Sequence, residues 1–231
     1  MSERISIRTP DGAFSAYVAR PAAARAPAVV AIQEIFGVNA VMRRVCDWLA
    51  SQGYLAVCPD LFWRLEPGVD LTDQSQGEWA KAFDLMNRFD VDQGVEDLRA
   101  TIDQIRCEDG CLGKVGAVGY CLGGRLAFLT ATRTDADACV GYYGVGIGGY
   151  LGEAEGLAHP LMLHIAEEDA YVPKEAQAAI VAGLKDHPMV SLHSYPGCDH
   201  AFARPGGAHY SAADADAANA RTLAFFRQNL G

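Results

Sequence analysis

Val115-Gly116-Ala117-Val118-Gly119-Tyr120-Cys121-Leu122-Gly123-Gly124-Arg125 is the stretch that decides how this chain folds and where its chemistry sits. Residues 115–118 are apolar strand material, and Arg125-Leu126-Ala127-Phe128-Leu129-Thr130-Ala131 favours a helix. Between them stands Gly119-x-Cys121-x-Gly123, the pattern of a nucleophile elbow with sulfur where a serine oxygen is usual. Glycines two residues either side let the chain turn sharply and hold Cys121 in a strained conformation. The thiol then stands at a helix N-terminus, where the dipole favours negative charge. The glycines at 116, 119, 123 and 124 do not spell Gly-x-Gly-x-x-Gly, so the elbow is not a dinucleotide fingerprint.

Strands and helices alternate on both sides of the elbow. Residues 4–9 and 14–19, split by Pro10-Asp11-Gly12, predict an N-terminal hairpin. Residues 28–33 form a continuous apolar run, as a strand buried on both faces does. Asn39 is placed to cap a helix that Gly53 stops, and residues 54–58 are the next strand. Residues 61–75 read as an irregular surface excursion, followed by helices over 78–89 and 91–105 with Asp90 as the cap between them. The elbow helix runs to Thr132. Strands follow at 138–143, 161–165 and 190–195, with helices from Pro173 to His187 and over 212–230. The Gly-rich stretch 141–152 reads as strand end plus loop. This alternation implies an α/β fold: a mainly parallel sheet of about seven to eight strands with helices on both faces. No linker or repeat interrupts it, so residues 1–231 are expected to form one domain.

The bulk composition excludes several functions. The 231 residues carry a net charge of −10, and no basic patch offsets it, which argues against nucleic-acid binding. No apolar run approaches the roughly 20 residues that cross a bilayer, so no membrane partner is expected. Met1-Ser2-Glu3-Arg4-Ile5 has no secretory apolar core. Seven cysteines, an odd number without an export signal, fit a reduced cytoplasmic protein with free thiols.

In parallel sheets, ligands sit at the carboxyl ends of the strands, and four such ends carry residues suited to acyl transfer. After 28–33 come Glu34-Ile35-Phe36-Gly37; the elbow supplies Cys121; after 161–165 come Glu167-Glu168-Asp169; after 190–195 come Cys198-Asp199-His200. The order Cys121, Asp169, His200 is nucleophile, acid, histidine, as in an α/β-hydrolase. A histidine beside the thiol takes its proton and later returns it to the leaving oxygen. A carboxylate behind the imidazole fixes its tautomer and stabilises imidazolium. The N–H of Leu122, just past the nucleophile, is one candidate oxyanion donor, and that of Ile35 the second. Asp199 rivals Asp169, but adjacency to His200 makes side-chain pairing awkward.

The remaining cysteines and histidines read as structural or solvated. Buried free cysteine is common and usually inert, which is the reading for Cys46, Cys58, Cys107, Cys139 and Cys198. Cys107-x-x-x-Cys111 has no matching His or Cys pair nearby, so no metal site is expected. His159, His164, His187, His193 and His209 are assigned no catalytic part.

At these residues the chain closely resembles the dienelactone hydrolases, the cysteine branch of the α/β-hydrolase fold. The resemblance rests on Gln33-Glu34-Ile35-Phe36-Gly37-Val38-Asn39, Cys58-Pro59-Asp60-Leu61, Gly119 to Gly124, Gly141-Tyr142-Tyr143-Gly144-Val145-Gly146 and His200-Ala201-Phe202-Ala203-Arg204. It implies a triad of Cys121, His200 and Asp169, with Glu34 as a fourth member that takes the thiol proton once substrate displaces it. Arg204 would approach the substrate carboxylate, and Tyr143 would line the substrate site. The implied reaction opens an enol-lactone, 4-carboxymethylenebut-2-en-4-olide, to maleylacetate, in a monomer without cofactor.

One region departs from the family pattern. The arginine, tyrosine and tryptophan that line the family's substrate site along this helix correspond here to Trp79, Phe83 and Met86. Lys81 is near in sequence but about 200° round the helix from Trp79. Ala201 replaces a serine often found after the histidine. With one carboxylate-binding cation missing, weaker binding of anionic dienelactones is expected, or a preference for a bulkier or less charged ester. The rival functions are a general carboxylesterase and, outside enzymes, a thiol redox sensor or ligand binder on the same fold.

Overall fold

Every residue of Ala26–Ile32 is buried, which a strand achieves only when both faces of its sheet are covered. A computed structural model describes residues 2–231 and shows an eight-stranded sheet of order β1-β2-β4-β3-β5-β6-β7-β8. The chain divides into two compact units, Met1–Ala117 and Val118–Gly231.

The first unit opens with the hairpin β1 (Ser2–Thr9) and β2 (Gly12–Ala19), antiparallel with Arg4 opposite Tyr17 and Thr9 opposite Gly12. It continues through β3 (Ala26–Ile32), α1 (Ala40–Ser51), β4 (Leu55–Pro59), α2 (Gln76–Arg88) and α3 (Val91–Arg106) into β5 (Cys111–Tyr120). β2 runs antiparallel to β4, and β3 parallel to it. α1 packs on β2, β3 and β4, and α3 on β1 and β3. α3 lays Val95, Leu98, Ile102 and Ile105 inward at helical spacing. Asn39 caps α1 by accepting from the N–H groups of Val41 and Met42, both at 3.1 Å.

α2 begins at Gln76, two residues ahead of the expected start, because Ser75 and Glu78 form a capping box. Ser75 Oγ accepts from the Glu78 N–H at 3.3 Å and donates to Glu78 Oε2 at 2.8 Å. Residues 61–75 are irregular, as expected, yet firmly tied. Asp60 accepts from the N–H groups of Phe62 (3.2 Å) and Gly68 (2.6 Å). Asp97 of α3, only 1% exposed, accepts from Trp63 Nε1 at 2.7 Å and Arg64 at 2.8 Å. Arg64 also pairs with Asp11 in the β1–β2 turn, at 2.9 Å.

The second unit contains α4 (Leu122–Arg133), β6 (Ala138–Tyr142), β7 (Leu161–Ala166), α5 (Lys174–Leu184), β8 (Val190–Tyr195) and α6 (Ala212–Leu230). β6, β7 and β8 are parallel, with Cys139 opposite Leu161 and His164 opposite His193. α4 and α6 pack on β6, and α5 on β8. Ile147–Gly156 is a 3₁₀ segment where a loop was expected. Its glycines carry no helical signal; packing against α4 and α5 holds it instead.

A buried polar chain crosses this unit. His164, 1% exposed, bonds Tyr195 Oη through Nδ1 (2.8 Å) and Thr222 Oγ1 through Nε2 (3.0 Å). Thr222 Oγ1 in turn meets Tyr142 Oη at 2.7 Å. Burial, with His193 and Arg221 nearby, pushes the His164 imidazole well below its usual range. The folded state therefore keeps it neutral, while the unfolded chain takes up a proton below about pH 6.5. Stability is expected to fall as pH drops through that value. Denaturant midpoints at pH 7.5 and 5.5 should differ, and His164→Gln should shrink the difference; an undiminished difference would assign the acid sensitivity elsewhere.

Candidate active site

β5 must turn into α4 at a single residue, and that residue is Cys121, with φ 57° and ψ −113°. A non-glycine residue adopts this conformation only when its surroundings compel it. A Cβ on Gly119 would collide with the carbonyl of Gly123, and one on Gly124 would lie 2.5 Å from the Tyr142 carbonyl oxygen. The elbow glycines are therefore required by close backbone approach. The Cys121 N–H donates to Tyr142 O at 3.1 Å, and its carbonyl accepts from Gly124 (3.0 Å), Arg125 (3.3 Å) and Val145 (3.3 Å). Cys121 occupies the N-cap position of α4 without capping it through its side chain. Cys121, 8% exposed, does not use its side chain to satisfy the helix.

Asp169 lies three residues past β7 and His200 five past β8. Their side chains meet at 2.8 Å, His200 Nδ1 to Asp169 Oδ2. The other oxygen, Asp169 Oδ1, accepts from the N–H groups of Tyr171 (2.8 Å) and Val172 (3.2 Å), which fixes the carboxylate plane. His200 also hydrogen-bonds the Cys121 side chain. Cys121, His200 and Asp169 thus form one connected chain within the second unit. The Tyr143 and Tyr171 rings lie edge-on to the imidazole, with centroids at 5.1 and 4.9 Å. Among the described residues, the non-glycine ones with positive φ are Cys121, Tyr143 (38°) and Ala201 (63°), so backbone strain gathers at this constellation.

Asp199, the rival acid, does not pair with the imidazole. Its Oδ1 accepts from the N–H groups of His200 (2.6 Å) and Ala170 (3.0 Å), and Oδ2 lies 3.3 Å from His209 Nδ1. Burial would raise its pKa, but these bonds and the nearby imidazoles hold it below the usual range. Adjacency signalled that Asp199 was unsuited to the triad, but nothing local in the sequence revealed its bond to a loop about thirty residues earlier. The ring of Tyr171 beside His200 likewise had no sequence signal.

Arg204 is buried four residues beyond His200. In the first unit, Glu34, Ile35 and Phe36 are all buried just past β3. Buried Gln33 accepts from Leu61 N–H at 3.1 Å through its Oε1. On α2, Trp79 stacks on Phe83 at 5.6 Å and meets Phe36 edge-on at 5.0 Å, with Trp79 Nε1 donating to Asp73 O at 3.0 Å. Lys81 pairs with Glu66 at 2.5 Å, as its turned-away position implied. Among the described residues, no group of three or more His, Cys, Asp or Glu is placed to hold a metal ion, and no helix is long and apolar enough to cross a membrane.

Electrostatics distinguish His200 from His164 and His193, whose pKa values burial lowers. Burial alone would lower its pKa, yet the hydrogen bonds to Asp169 and Cys121 raise it to about 10. This contribution to stability is complete below pH 6.5 and lost as pH rises through about 10. In an NMR titration, His200 should stay protonated well above the ordinary histidine range, and Asp169→Asn should move its midpoint down. An unshifted midpoint in that variant would remove Asp169 as its support.

The sequence profile of the dienelactone hydrolase family matches residues 14–230. A protein of Azospirillum brasilense, provisionally named a carboxymethylenebutenolidase, is 54% identical over 227 residues, covering 96% of each chain. The carboxymethylenebutenolidase of Pseudomonas putida is 44% identical, covering 97% of this chain and 96% of its own. The crystal structure of a provisionally named dienelactone hydrolase from Klebsiella pneumoniae superposes with a TM-score of 0.87 at 28% identity, covering 99% of this chain and 98% of that one. The chain therefore belongs to the dienelactone hydrolase family and is a hydrolase of the α/β-hydrolase fold.

Proposed function

We propose that this hydrolase opens dienelactone, or a closely related lactone or ester, through a thioester on Cys121. The observation that carries this reading is the hydrogen-bonded chain Asp169–His200–Cys121, ending on a strained cysteine whose side chain does not cap the helix it begins. Glu34 takes the Sγ proton, and the sulfur attacks the lactone carbonyl carbon, forming a C–S bond while the carbonyl π electrons move to oxygen. Collapse of that tetrahedral intermediate breaks the ring C–O bond, and His200 donates its proton to the leaving enol oxygen. The opened acid stays attached as a thioester. Water, deprotonated by His200, then attacks this thioester; the C–S bond breaks, Glu34 returns its proton to the sulfur, and the acid product ionises to a carboxylate. The enol released from dienelactone becomes the ketone of maleylacetate.

The N–H groups of Leu122 and Ile35 are the proposed oxyanion donors, and Arg204 and Tyr143 the proposed substrate contacts. Glu34 is assigned the proton-taking role that the family resemblance implies. Its support is a carboxylate kept buried at a strand end, where an ordinary loop acid would be solvated. The enzyme is proposed to act as a cytoplasmic monomer, with its seven cysteines free; light scattering at micromolar concentration checks the oligomeric state.

A second reading, a preference for neutral esters, is favoured by one feature. Trp79 and Phe83 present stacked, half-buried rings on α2, and the nearby cation Lys81 is engaged by Glu66. Assays of cis- and trans-dienelactone beside aryl esters separate the two. Comparable or higher kcat/KM on dienelactone supports the lactone; a wide margin for aryl esters replaces it with the esterase. Cys121→Ala should lower kcat on every substrate by at least about 10⁴-fold, and residual turnover near the parent's would remove the thioester. Trp79→Arg should raise kcat/KM for dienelactone roughly tenfold to a hundredfold and leave neutral esters unimproved.

A further inference from the structure

The two polar members of the triad come from different loops, so something must hold those loops in register. We propose that Asp199 is the positioning residue of this active site: one carboxylate oxygen ties the Asp169 loop to the His200 loop and so sets the Asp169–His200 hydrogen bond. The inference rests on the assignment of Asp169 and His200 as the catalytic pair.

The geometry is specific. Asp199 Oδ1 accepts from two backbone N–H groups, that of His200 at 2.6 Å and that of Ala170 at 3.0 Å. Ala170 directly follows Asp169, so the two donors lie on or beside the two triad residues. A second cross-loop bond runs parallel, from Glu168 N–H to Cys198 O at 2.8 Å. Together they bracket Asp169 between two ties to the strand-β8 loop. Asp169 itself reaches the other loop only through the Oδ2 bond to be positioned, because its Oδ1 is occupied within its own loop by Tyr171 and Val172. Ala201, next to His200, is held at φ 63°, a conformation that persists only if neighbouring bonds enforce it. The 2.6 Å bond from His200 N–H to Asp199 is one such restraint.

A carboxylate suits this task because a bond from N–H to an ionised acceptor is roughly twice as strong as a neutral one. His209, beside the outer oxygen Oδ2, is about half exposed and adds little. The inner oxygen does the positioning, which makes the roles of charge and geometry separable by substitution. A misplacement near 1 Å in such a constellation costs on the order of a hundredfold in rate.

The test measures kcat, KM and their pH dependence for p-nitrophenyl acetate and dienelactone, per folded molecule, with folding checked by circular dichroism. Asp199→Ala should lower kcat roughly tenfold to a hundredfold on both substrates with KM changed less than about twofold. It should also move the high-pH limb of the profile below that of the parent. The groups facing the imidazole are Asp169, Cys121, Tyr143 and Tyr171, with Asp199 behind its backbone; Asp169→Asn is therefore run in parallel. Asp199→Asn, whose amide oxygen still accepts both N–H groups, should recover kcat to within about threefold of the parent. His209→Ala should change neither constant. If Asp199→Ala does not fold, Asp199→Ser, too short to accept both donors, must show the same loss. A kcat within twofold of the parent in the alanine or serine variant, or an asparagine variant as impaired as they are, overturns the proposal. An Asp169→Asn enzyme with parental kcat overturns the triad assignment and this inference with it; an impaired Asp169→Asn beside an unimpaired Asp199→Ala overturns the positioning role alone.

Discussion

The reversal of chain direction at Cys121 constrains everything around it. One residue has to end β5 and begin α4, and it does so in a conformation that a side chain resists. The strain persists because the peptide groups of Cys121 are bonded to Tyr142, Gly124, Arg125 and Val145. Those bonds require backbone contact so close that Gly119 and Gly124 have no room for a Cβ. β6 is therefore positioned by the elbow as much as by its own pairing. Tyr143, the next residue, donates its N–H to His164 O at 2.8 Å, which carries the constraint on to β7.

Two buried histidines of the second unit show how partners decide charge. His164 and His200 are both nearly inaccessible, yet their pKa values move in opposite directions. His164 has hydroxyl partners, Tyr195 and Thr222, which satisfy a neutral ring but do not stabilise a cation. His200 has the carboxylate of Asp169, which does. The same side chain is a neutral strut in one place and the charged partner of a carboxylate in the other. Tyr143 links the two, bonded through its backbone to His164 and packed edge-on against His200.

Much of this was legible in the sequence because the signals were local. Alternating apolar runs placed the strands, and Asn39 and Asp90 cap helices where their side-chain chemistry predicted. The elbow pattern placed Cys121, and adjacency to His200 told against Asp199, while Asp169 is the carboxylate that meets the imidazole. What escaped prediction depended on distant contacts or on a signal not weighed. The 3₁₀ segment 147–156 is held by packing rather than propensity. The bond from Ala170 N–H to Asp199 joins loops far apart in sequence, and the rigidity of 61–75 comes from Asp97 on a later helix. The start of α2 at Gln76 is different: Ser75-x-x-Glu78 was readable as a capping box.

The anchoring of α2 has a consequence for how such an enzyme can change over generations. Glu78 holds the start of the helix through Thr72 and Ser75, and Lys81 ties its flank to Glu66. Ala82 and Leu85 supply its buried face. Met86, by contrast, is only half-buried and belongs to none of these attachments. Mutations at that position can therefore accumulate with little loss of stability. The triad, whose geometry is fixed by strained backbone and bonds within the second unit, has no such latitude. Sequence drift is thus tolerated on one flank of α2 and resisted at the bonded residues around Cys121, so one part of the chain can diverge while the other stays fixed.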